Sequence, residues 1–428
     1  MRICSSIILS LVLACSLAGC VNTRSAQYPS SSAGWIVTDP AAMLGAFSPV
    51  ASPNPPAPDA EALAFWRTPA TTWISIEMGL VAREYTSPPR AARCYALLAA
   101  GINDALLVAD AASAKGTPIS DDAVIAGVAK RIMSYSHPLQ AEMLQQRAAQ
   151  ARWAGVWRGS ATIAAVSAGE RIGQAVAEKV IDWAQHDHAE DFTPFADPAP
   201  APGVWQRTPP RLWSALDPGW GNVRPIAIPS ATQMSAKAPP SWGSAEFRAD
   251  RAAFAAIQQS LNDADRALAR RWAGSMGSVT PAGLWLQIAR AKIERDQLDE
   301  RQAVSIYATL AVAMHDSFIA CWQSKYSYLV ARPISWMREA NPAWLSMLET
   351  PPFPSYPSGH ATVSGAASAV LAAYFPSYAT ALRQMAEDAA RSRVVGGIHW
   401  PIDGRNGLEQ GRAIGNWILT HHPGLPNE

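Results

Sequence analysis

The chain contains an internal repeat at two fixed offsets. The segment YALLAAGINDALLVADAASAK, from Tyr95, matches YATLAVAMHDSFIACWQSKYS, from Tyr307, at an offset of 212 residues. The segment DAVIAGVAKRIMSYSHP, from Asp122, matches HATVSGAASAVLAAYFP, from His360, at an offset of 238 residues. The step from 212 to 238 places 26 additional residues in the second copy, between Lys325 and His360. The repeat predicts a duplicated structural unit whose second copy has an added loop.

Both copies have the composition of α-helices. Ala, Leu, Gln, Arg and Glu dominate, and apolar residues recur at spacings of three and four, as in AVIAGVAKRIMSY and RQAVSIYATLAVAMHDSFIACW. Patterns typical of β-strands are nearly absent. The 428 residues, of which 49% are hydrophobic, are enough to bury a large core. We therefore predict an all-α protein made of two related helical bundles.

Changes in composition divide the chain into segments. Residues 1–19 have the features of a signal peptide, and residues 20–60, rich in Ser, Pro and Ala, are expected to form a tether and an N-terminal arm. Residues 61–185 are predicted to form the first bundle and residues 246–428 the second. Between them, residues 186–245 are rich in Pro and Trp, so we expect this segment to lie against the bundles.

The N-terminus, MRICSSIILSLVLACSLAGC, places one Arg before a short apolar run that ends in Leu-Ala-Gly-Cys. This order is typical of a secretory signal peptide, and the ending resembles the lipobox of bacterial lipoproteins. The resemblance implies cleavage before Cys20, a lipid on its sulfur, and a location on the periplasmic side of a bacterial membrane. The residue after Cys20 is Val21 rather than Asp, which resembles lipoproteins that are sorted to the outer membrane. A plain secretory signal with a chance Cys is the alternative.

Charge and cysteine content exclude some other classes. The net charge is +1 and no long charge run is present, so nucleic acid is not an expected partner. No stretch after the N-terminus looks long and apolar enough to cross a bilayer. Outside the N-terminal segment the cysteines are Cys94 and Cys321, both in apolar helical patterns. We expect buried free thiols there rather than a disulfide.

Basic residues and histidines gather in three clusters of the second copy. The clusters read KYSYLVARP, PSGH and SRVVGGIHWPID. A purely structural role would predict the same residues in both copies. The first copy instead has Ser113, Asp122, Gly155 and Ala161 at the positions of Lys325, His360, Arg393 and His399. The second copy alone is therefore predicted to carry a site.

The charges of these clusters indicate an anion. Lys325, Arg332 and Arg393 would repel one another if they converged without one. Arg offers paired hydrogen bonds to a tetrahedral oxyanion, and Lys adds a point charge. Gly359 would let the backbone approach the anion, where the free N–H groups of the following helix also point. The hydroxyl of Ser358 can donate as well.

The two histidines are expected to have different roles. One should attack or ligate the central atom of the oxyanion, and the other should move protons on the opposite side. Asp403, four residues after His399, could hold one ring nitrogen of His399 and leave the other as the nucleophile. His360, at a helix N-terminus, is better placed as the acid or base. Any of these residues alone would be read as a core or surface residue, whereas their joint spacing indicates a site.

The clusters match the motif KxxxxxxRP, PSGH, SRxxxxxHxxxD residue for residue. The chain thereby resembles the superfamily of type 2 phosphatidic acid phosphatases, bacterial acid phosphatases and vanadium haloperoxidases, with bacterial vanadium haloperoxidase-like proteins nearest. The resemblance implies that His399 bonds to vanadium or phosphorus and that His360 is the acid–base residue. It also implies an oxyanion site made by Lys325, Arg332, Ser358, Gly359 and Arg393.

The residues around the site help to decide whether the chain is more similar to the haloperoxidases or to the phosphatases. Trp322 and Phe353 resemble the apolar residues that line the halide site of chloroperoxidases; core aromatics are the alternative. Two departures bear on halide preference: Ala331 precedes Arg332 where bacterial relatives often have Trp, and Val363 follows His-Ala-Thr where bromoperoxidases can have a second His.

The expected reaction is the oxidation of halide by hydrogen peroxide, with vanadate as cofactor. Two alternatives stay open. An acid phosphatase would need no vanadate and would hydrolyse phosphate esters through a phosphohistidine at His399. A lipoprotein that only binds phosphate would need no pair of histidines across the anion, which disfavours it.

Overall fold

The computed structural model describes residues 33–44, 54–58 and 60–422. Within these ranges the chain is helical, and β-structure is limited to one bridge between Val204 and Val330. The prediction of an all-α fold is confirmed. The expected signal peptide and Cys20 lie outside the described residues.

The first copy begins with proline-led helices. Pro69 and Pro88 occupy the first turns of α2 and α3, where a missing N–H costs nothing. Ser120 caps α4 by accepting from the N–H of Ala123. The helices are α1 (Ala60–Phe65), α2 (Pro69–Arg83), α3 (Pro88–Ser113), α4 (Asp121–Ser136), α5 (Ala141–Ala151), α6 (Ala154–Trp157) and α7 (Ile163–Gln185).

The second copy has well-defined helix ends. Asp299 and Gln302 form a capping box at the start of α11, and Asn262 and Asp265 form one at the start of α9. The helices are α8 (Ala245–Gln259), α9 (Asp263–Arg271), α10 (Thr280–Arg295), α11 (Glu300–Tyr328), α12 (Pro333–Ala340), α13 (Gly359–Tyr374), α14 (Ala379–Val395) and α15 (Pro401–His421).

The helix bounds repeat at the offsets of the sequence. The first residues of α3 and α11 lie 212 residues apart, and those of α4 and α13 lie 238 apart. The same offset of 238 relates α5 to α14 and α7 to α15. The additional residues of the second copy include α12 and the Pro-rich loop before α13. The sequence repeat is therefore a structural repeat of two helical bundles.

Glycines hold the same helix pair together in each copy. A side chain at Gly173 of α7 would overlap the carbonyl oxygen of Val124 on α4. A side chain at Gly411 of α15 would likewise overlap the carbonyl oxygen of Thr362 on α13. Both pairs thus cross with their backbones in contact, which only glycine allows. This crossing fixes the start of α13, where the second cluster of the site lies.

A buried carboxylate fastens an irregular segment to the long helix of each copy. Asp104 of α3 accepts hydrogen bonds of 2.8 Å from the backbone N–H groups of residues 35–37. Asp316 of α11 accepts the equivalent bonds, 2.7–2.9 Å long, from residues 226–228. The sequence repeat aligned these two aspartates, and the structure gives them one shared role.

The segment between the bundles packs against the second copy. Trp205 and Trp220 are buried, whereas Trp213, although equally apolar, is 48% exposed. The N–H of Trp205 donates to the carbonyl of Leu329 at 2.6 Å, and the N–H of Ala331 donates to Gly203 at 2.8 Å. These bonds hold the backbone just before Arg332 and so help to position the site.

Two helices are long and apolar enough to cross a membrane, by length and composition alone. They are α3 and α11, and 83% and 100% of their apolar windows are buried in the protein. The expectation that no such stretch exists was therefore wrong. Their apolar character follows from their packing against each other in a core that extends through both copies.

The two cysteines outside the N-terminal segment differ in burial. Both thiols are free, as expected; Cys321 is buried, but Cys94 is only partly buried. A helical pattern gives the face on which a residue lies and does not tell how completely neighbouring helices cover it.

Candidate active site

The residues of the three clusters meet at the N-terminal end of α13. Lys325 comes from the last turn of α11, and Arg332 is the residue before α12. Arg393 comes from the last turn of α14. His399 lies in the loop after α14, and Asp403 lies in the first turn of α15. Residues far apart in the sequence thus share one buried place.

Lys325 organises the loop before α13. Its ammonium group donates to the carbonyl oxygens of Pro354, Ser355 and Pro357, at 2.8, 2.9 and 2.5 Å. An ammonium group has three N–H donors, so all of them are used. Lys325 is fully buried. It can therefore act on an anion as a point charge. Its hydrogen bonds also fix the backbone of residues 354–357, just before the Ser-Gly-His turn.

Two nitrogens of the Arg332 guanidinium donate to backbone carbonyls, and the third nitrogen has no partner among the described residues. Its Nε donates to the carbonyl of Phe353 at 2.8 Å, and its Nη1 donates to Ile398 at 2.6 Å. The same Nη1 lies 3.1 Å from Nε2 of His399. Its Nη2 is buried and has no hydrogen-bond partner among the described residues. A buried cationic donor without a partner is costly, which fits an anion at this position.

Arg393 is held by backbone carbonyls. Nη2 donates to Ala269 at 3.0 Å, and Nη1 donates to Ala273 at 3.1 Å. Nε donates to the hydroxyl of Ser392 at 3.0 Å, and Nη1 lies 3.2 Å from Nε2 of His360. Among the described residues no carboxylate pairs with Arg393. Its charge is therefore not neutralised by the protein around it.

His399 and Asp403 form a buried pair. Nδ1 of His399 lies 2.8 Å from Oδ2 of Asp403, which also accepts from the hydroxyl of Ser355 at 2.5 Å and from the N–H of Trp400 at 3.0 Å. A carboxylate at Nδ1 holds the proton there and leaves the lone pair on Nε2. That lone pair faces Arg332. The predicted pairing of His399 with Asp403 agrees with this geometry.

His360 lies at the more open side of the site. Its Nε2 is 3.2 Å from the carbonyl of Ala273 and 3.2 Å from Nη1 of Arg393. The first contact suits an N–H and the second suits a lone pair, so the protein does not fix one tautomer. Gly274, with φ of +52°, passes so close that a side chain there would lie 3.2 Å from Nε2. The ring is partly exposed.

The helix end of α13 agrees with the predicted turn. Ser358 caps α13 by accepting from the N–H of Ala361 at 3.4 Å, and a hydroxyl that accepts can still donate. A methyl group at Gly359 would lie 3.4 Å from Trp322 and 3.6 Å from Phe318, and φ is not positive. The protein around Gly359 therefore does not require glycine, and close approach of a ligand stays a prediction.

An aromatic wall borders the cations. Trp322 and Phe353 are buried, with ring centroids 4.9 Å apart. The guanidinium carbon of Arg332 lies 4.8 Å from the ring centre of Phe353, and the ammonium nitrogen of Lys325 lies 5.0 Å from it. These rings contact the cations of the site directly, so they are more than core aromatics distant from it.

Burial governs the ionisation of the site. It lowers the pKa of Arg332 and of Arg393 to about 9, and it lowers the pKa of Lys325 as well. Burial, followed by the charge of Arg332, holds the pKa of His399 well below its usual value. Burial and Arg393 do the same to His360. Each shift opposes positive charge, and a bound oxyanion would reverse it.

Two features of the site were not predicted from the sequence. Ser355, in the Pro-rich loop, supplies a hydroxyl to Asp403. The loop at Ala273 and Gly274 supplies the carbonyl shared by Arg393 and His360. The Gly-rich stretch WAGSMG is the only hint of this loop in the sequence.

Three comparisons with known proteins bear on this geometry. The family described as "VCPO second helical-bundle domain" matches residues 305–380. Vanadium chloroperoxidase of Curvularia inaequalis is 30% identical over 131 residues, which is 24% of this chain and 22% of that relative. The chain thus spans about a fifth of the length of this curated relative.

Solved structures share the fold. The first bacterial vanadium-dependent iodoperoxidase superposes with a TM-score of 0.72 over 87% of this chain and 99% of its own, at 24% identity. A holo-type bacterial vanadium-dependent chloroperoxidase superposes with a TM-score of 0.58 over 86% and 97%, at 14% identity. The chain is therefore similar to vanadium haloperoxidases, in sequence over residues 305–380 and in fold over most of its length. At these identities the structural matches establish the fold alone and leave the reaction of this chain open.

The donor set fits a tetrahedral oxyanion such as phosphate or vanadate. Among the described residues of the site, three cations, Lys325, Arg332 and Arg393, outnumber the single buried carboxylate of Asp403, and Arg332 keeps an unpartnered N–H group. His399 offers an Nε2 lone pair beside that group. Phosphate and vanadate have the same shape and charge type, so both fit this arrangement.

Proposed function

We propose that this protein is a vanadate-dependent haloperoxidase that oxidises halide with hydrogen peroxide. The observation that carries the proposal is the aromatic wall of Trp322 and Phe353 against the cations of Lys325 and Arg332. A phosphatase needs the cations but has no evident use for two buried aromatic rings beside them, whereas a halide must lose water before it reacts. The likeness to iodoperoxidase and chloroperoxidase folds supports the same choice.

The cationic residues would hold the cofactor. Arg332 would donate through Nη2, and Arg393 and Lys325 would add charge, with the N–H groups at the start of α13 completing the cage. His399 would ligate vanadium through Nε2 while Asp403 keeps the proton at Nδ1. Vanadate, when bound, supplies Lewis-acid activation of hydrogen peroxide.

His360 would serve the proton transfers. Its Nε2 can accept a proton from incoming peroxide and return it when water leaves, because the lowered pKa keeps the ring neutral and the residue is only partly buried. The overall reaction consumes one halide ion, one hydrogen peroxide and one proton, and it gives one hypohalous acid and one water. The aromatic wall would keep bulk water away from the halide.

The decisive experiment is a paired assay on one metal-free preparation. Vanadate is added, and bromination of monochlorodimedone is measured beside hydrolysis of p-nitrophenyl phosphate. We expect halogenation that requires vanadate and that phosphate inhibits by competition. Hydrolysis that vanadate inhibits, with no halogenation at any vanadate concentration, would overturn the proposal.

An acid phosphatase is the second candidate, and the position of His360 favours it. His360 lies at the open side of the site, where the leaving alcohol of a phosphate ester would depart and need a proton. His399 would then attack phosphorus through Nε2, and no vanadate would be needed. Protein that only binds phosphate would show unchanged affinity after both histidines are removed, and no turnover of either substrate.

We also propose that the protein is a lipoprotein on the periplasmic side of a bacterial membrane, anchored through Cys20. The support is the lipobox-like ending of the N-terminal segment. Cys20→Ser should release the protein from membrane fractions, because one lipidated Cys is the only anchor that we infer. Persistence of the variant in the pellet after a salt wash would contradict this.

We also propose that the first bundle extends over residues 61–185 and the second over residues 246–428.

A further inference from the structure

A second cluster of reactive side chains lies in the first copy. Glu77 is on α2, Cys94 is on α3, and His137 immediately follows α4. One ligand atom of each lies within 4.8 Å of the other two. Glu77 and His137 are each 1% exposed, and Cys94 is partly buried. A carboxylate, a thiol and an imidazole therefore lie together inside the first bundle.

The imidazole of His137 is oriented as in metal sites of proteins. Its Nδ1 lies 2.6 Å from a carboxylate oxygen of Glu84, and its Nε2 lies 2.8 Å from Oε1 of Glu77. Metal-bound histidines usually give the proton of the other nitrogen to a carboxylate. Glu84 would take that proton here, so Nε2 is left to face Glu77 and Cys94.

Glu77 has ligand capacity that the protein does not use. Its Oε2 is buried and has no hydrogen-bond partner among the residues that the structure describes. A buried carboxylate oxygen without a partner costs free energy. A cation beside Glu77 would remove that cost, and this observation is independent of the grouping of the three side chains.

The second copy shows that the fold does not need these residues. The sequence offsets place Ala289, Ile306 and Phe375 at the positions of Glu77, Cys94 and His137. All three are buried. Apolar packing therefore suffices at this place in the same scaffold. The polar cluster of the first copy adds a burial cost that the second copy avoids.

We propose that Glu77, Cys94 and His137 form a zinc-binding site in the first copy. Sulfur, nitrogen and carboxylate oxygen together suit Zn²⁺ and disfavour Mg²⁺ and Ca²⁺, which take oxygen ligands. Cys94 binds as the thiolate, His137 through Nε2 and Glu77 through its carboxylate, and a water completes four ligands. Glu84 orients His137 from the outside. The ion would tie α2, α3 and the end of α4 together.

An imidazolium bridge is the rival use of the same residues. A protonated His137 could donate to Glu77 and to Glu84 without any metal ion. Such a bridge makes no demand on Cys94, whereas a zinc site does. The role of the thiol therefore separates the two.

The test uses the full chain after treatment with a chelator. Zn²⁺ affinity and stoichiometry are measured by competition with a chromophoric chelator, and Co²⁺ is added to a second sample. We expect one tight Zn²⁺ per chain and a thiolate-to-Co²⁺ charge-transfer absorption. Absence of saturable Zn²⁺ binding, or a Co²⁺ spectrum without the thiolate band, would overturn the proposal even if every variant failed to fold.

Variants then assign the ligands. Cys94→Ser should remove the thiolate band, and His137→Phe, which copies the second bundle, should abolish tight binding. Glu84→Gln should weaken binding by about 10- to 100-fold, as outer residues of metal sites do. His186→Ala, at an exposed histidine immediately after the first bundle, is the control and should leave affinity unchanged. Equal Zn²⁺ affinity in Cys94→Ser and the wild type would show that the thiol is not a ligand and would overturn the proposed site.

Discussion

The two copies differ in charge at the same helix end of one scaffold. At the start of α13 the second copy has His360 beside the cation Arg393. At the start of α4 the first copy has Asp122, whose carboxylate is bound by Arg158. Gly155 replaces Arg393, and a side chain there would overlap the carboxylate of Asp122. The first copy has thus closed the space that the second copy keeps for an anion.

The buried residues that both copies share have structural roles, whereas the reactive clusters occur in one copy each. The glycine crossing and the aspartates Asp104 and Asp316 occur in both. Among the described residues, the cluster of Lys325, Arg332 and Arg393 occurs only in the second copy, and the Glu77, Cys94 and His137 cluster only in the first. A duplicated chain therefore supplies its own control for each buried polar residue, without reference to any other protein.

The largest effect is expected for His399→Ala. The variant should lose the bond to vanadium but keep Lys325, Arg332 and Arg393. Oxyanion binding should therefore weaken rather than vanish, while turnover falls by orders of magnitude. Vanadate titration by calorimetry and steady-state halogenation measure the two effects. Wild-type turnover in this variant would remove His399 from the reaction altogether.

His360→Ala should separate proton transfer from binding. It should hold vanadate better than His399→Ala does, because it keeps His399, which would ligate vanadium. Turnover should fall by about a hundred- to ten-thousand-fold, and one limb of the pH–rate profile should disappear. If His360→Ala loses vanadate more severely than His399→Ala, the two roles are assigned the wrong way round.

The number of bound anions tests the comparison directly. A structure of the protein soaked in vanadate or tungstate should show one anion, beside His399. The first copy should show none, since Asp122 is an anion itself and would repel another. An anion bound near Gly155 would contradict the view that the first copy has lost this function. Arg332→Ala is the matched variant and should weaken the single site.

How much of this could be read from the sequence depends on the type of group. The side chains of the cage and the pairing of His399 with Asp403 follow from motif spacing, and the structure brings them together. The carbonyls that hold Lys325 and Arg393 could not be predicted, because every residue has a carbonyl and only the fold selects one. Ser355 was missed for a related reason: a lone serine in a loop has no periodic pattern.

The shared aspartates allow a matched pair of stability measurements. Asp104→Asn and Asp316→Asn each replace a carboxylate that accepts three backbone N–H groups, so each should lower the free energy of unfolding by roughly 1.5–3 kcal/mol. Chemical denaturation of both variants measures this. Similar losses would support one structural role. A variant that keeps its stability but loses activity would show that its aspartate belongs to the chemistry of one copy.

The smallest effect concerns the pH dependence of anion binding in the second copy. Burial lowers the pKa of Lys325, and the neighbouring Arg332 lowers it further. Below that pKa the ammonium is charged and favours an anion; above it the charge is lost. Sulfate stays a dianion throughout, so its own titration does not interfere. Its affinity should therefore fall severalfold as the pH rises through the lowered pKa of Lys325.

Lys325→Met is the matched variant for the sulfate titration. It cannot titrate at this position, so its weaker affinity should not follow the pH profile of the wild type. Because the ammonium already donates to three loop carbonyls, its contribution is one of charge over distance rather than of a direct bond. The effect should accordingly be smaller than the loss caused by Arg332→Ala. An identical pH profile in wild type and Lys325→Met would show that another group, with His360 as the next candidate, causes the pH dependence of sulfate affinity.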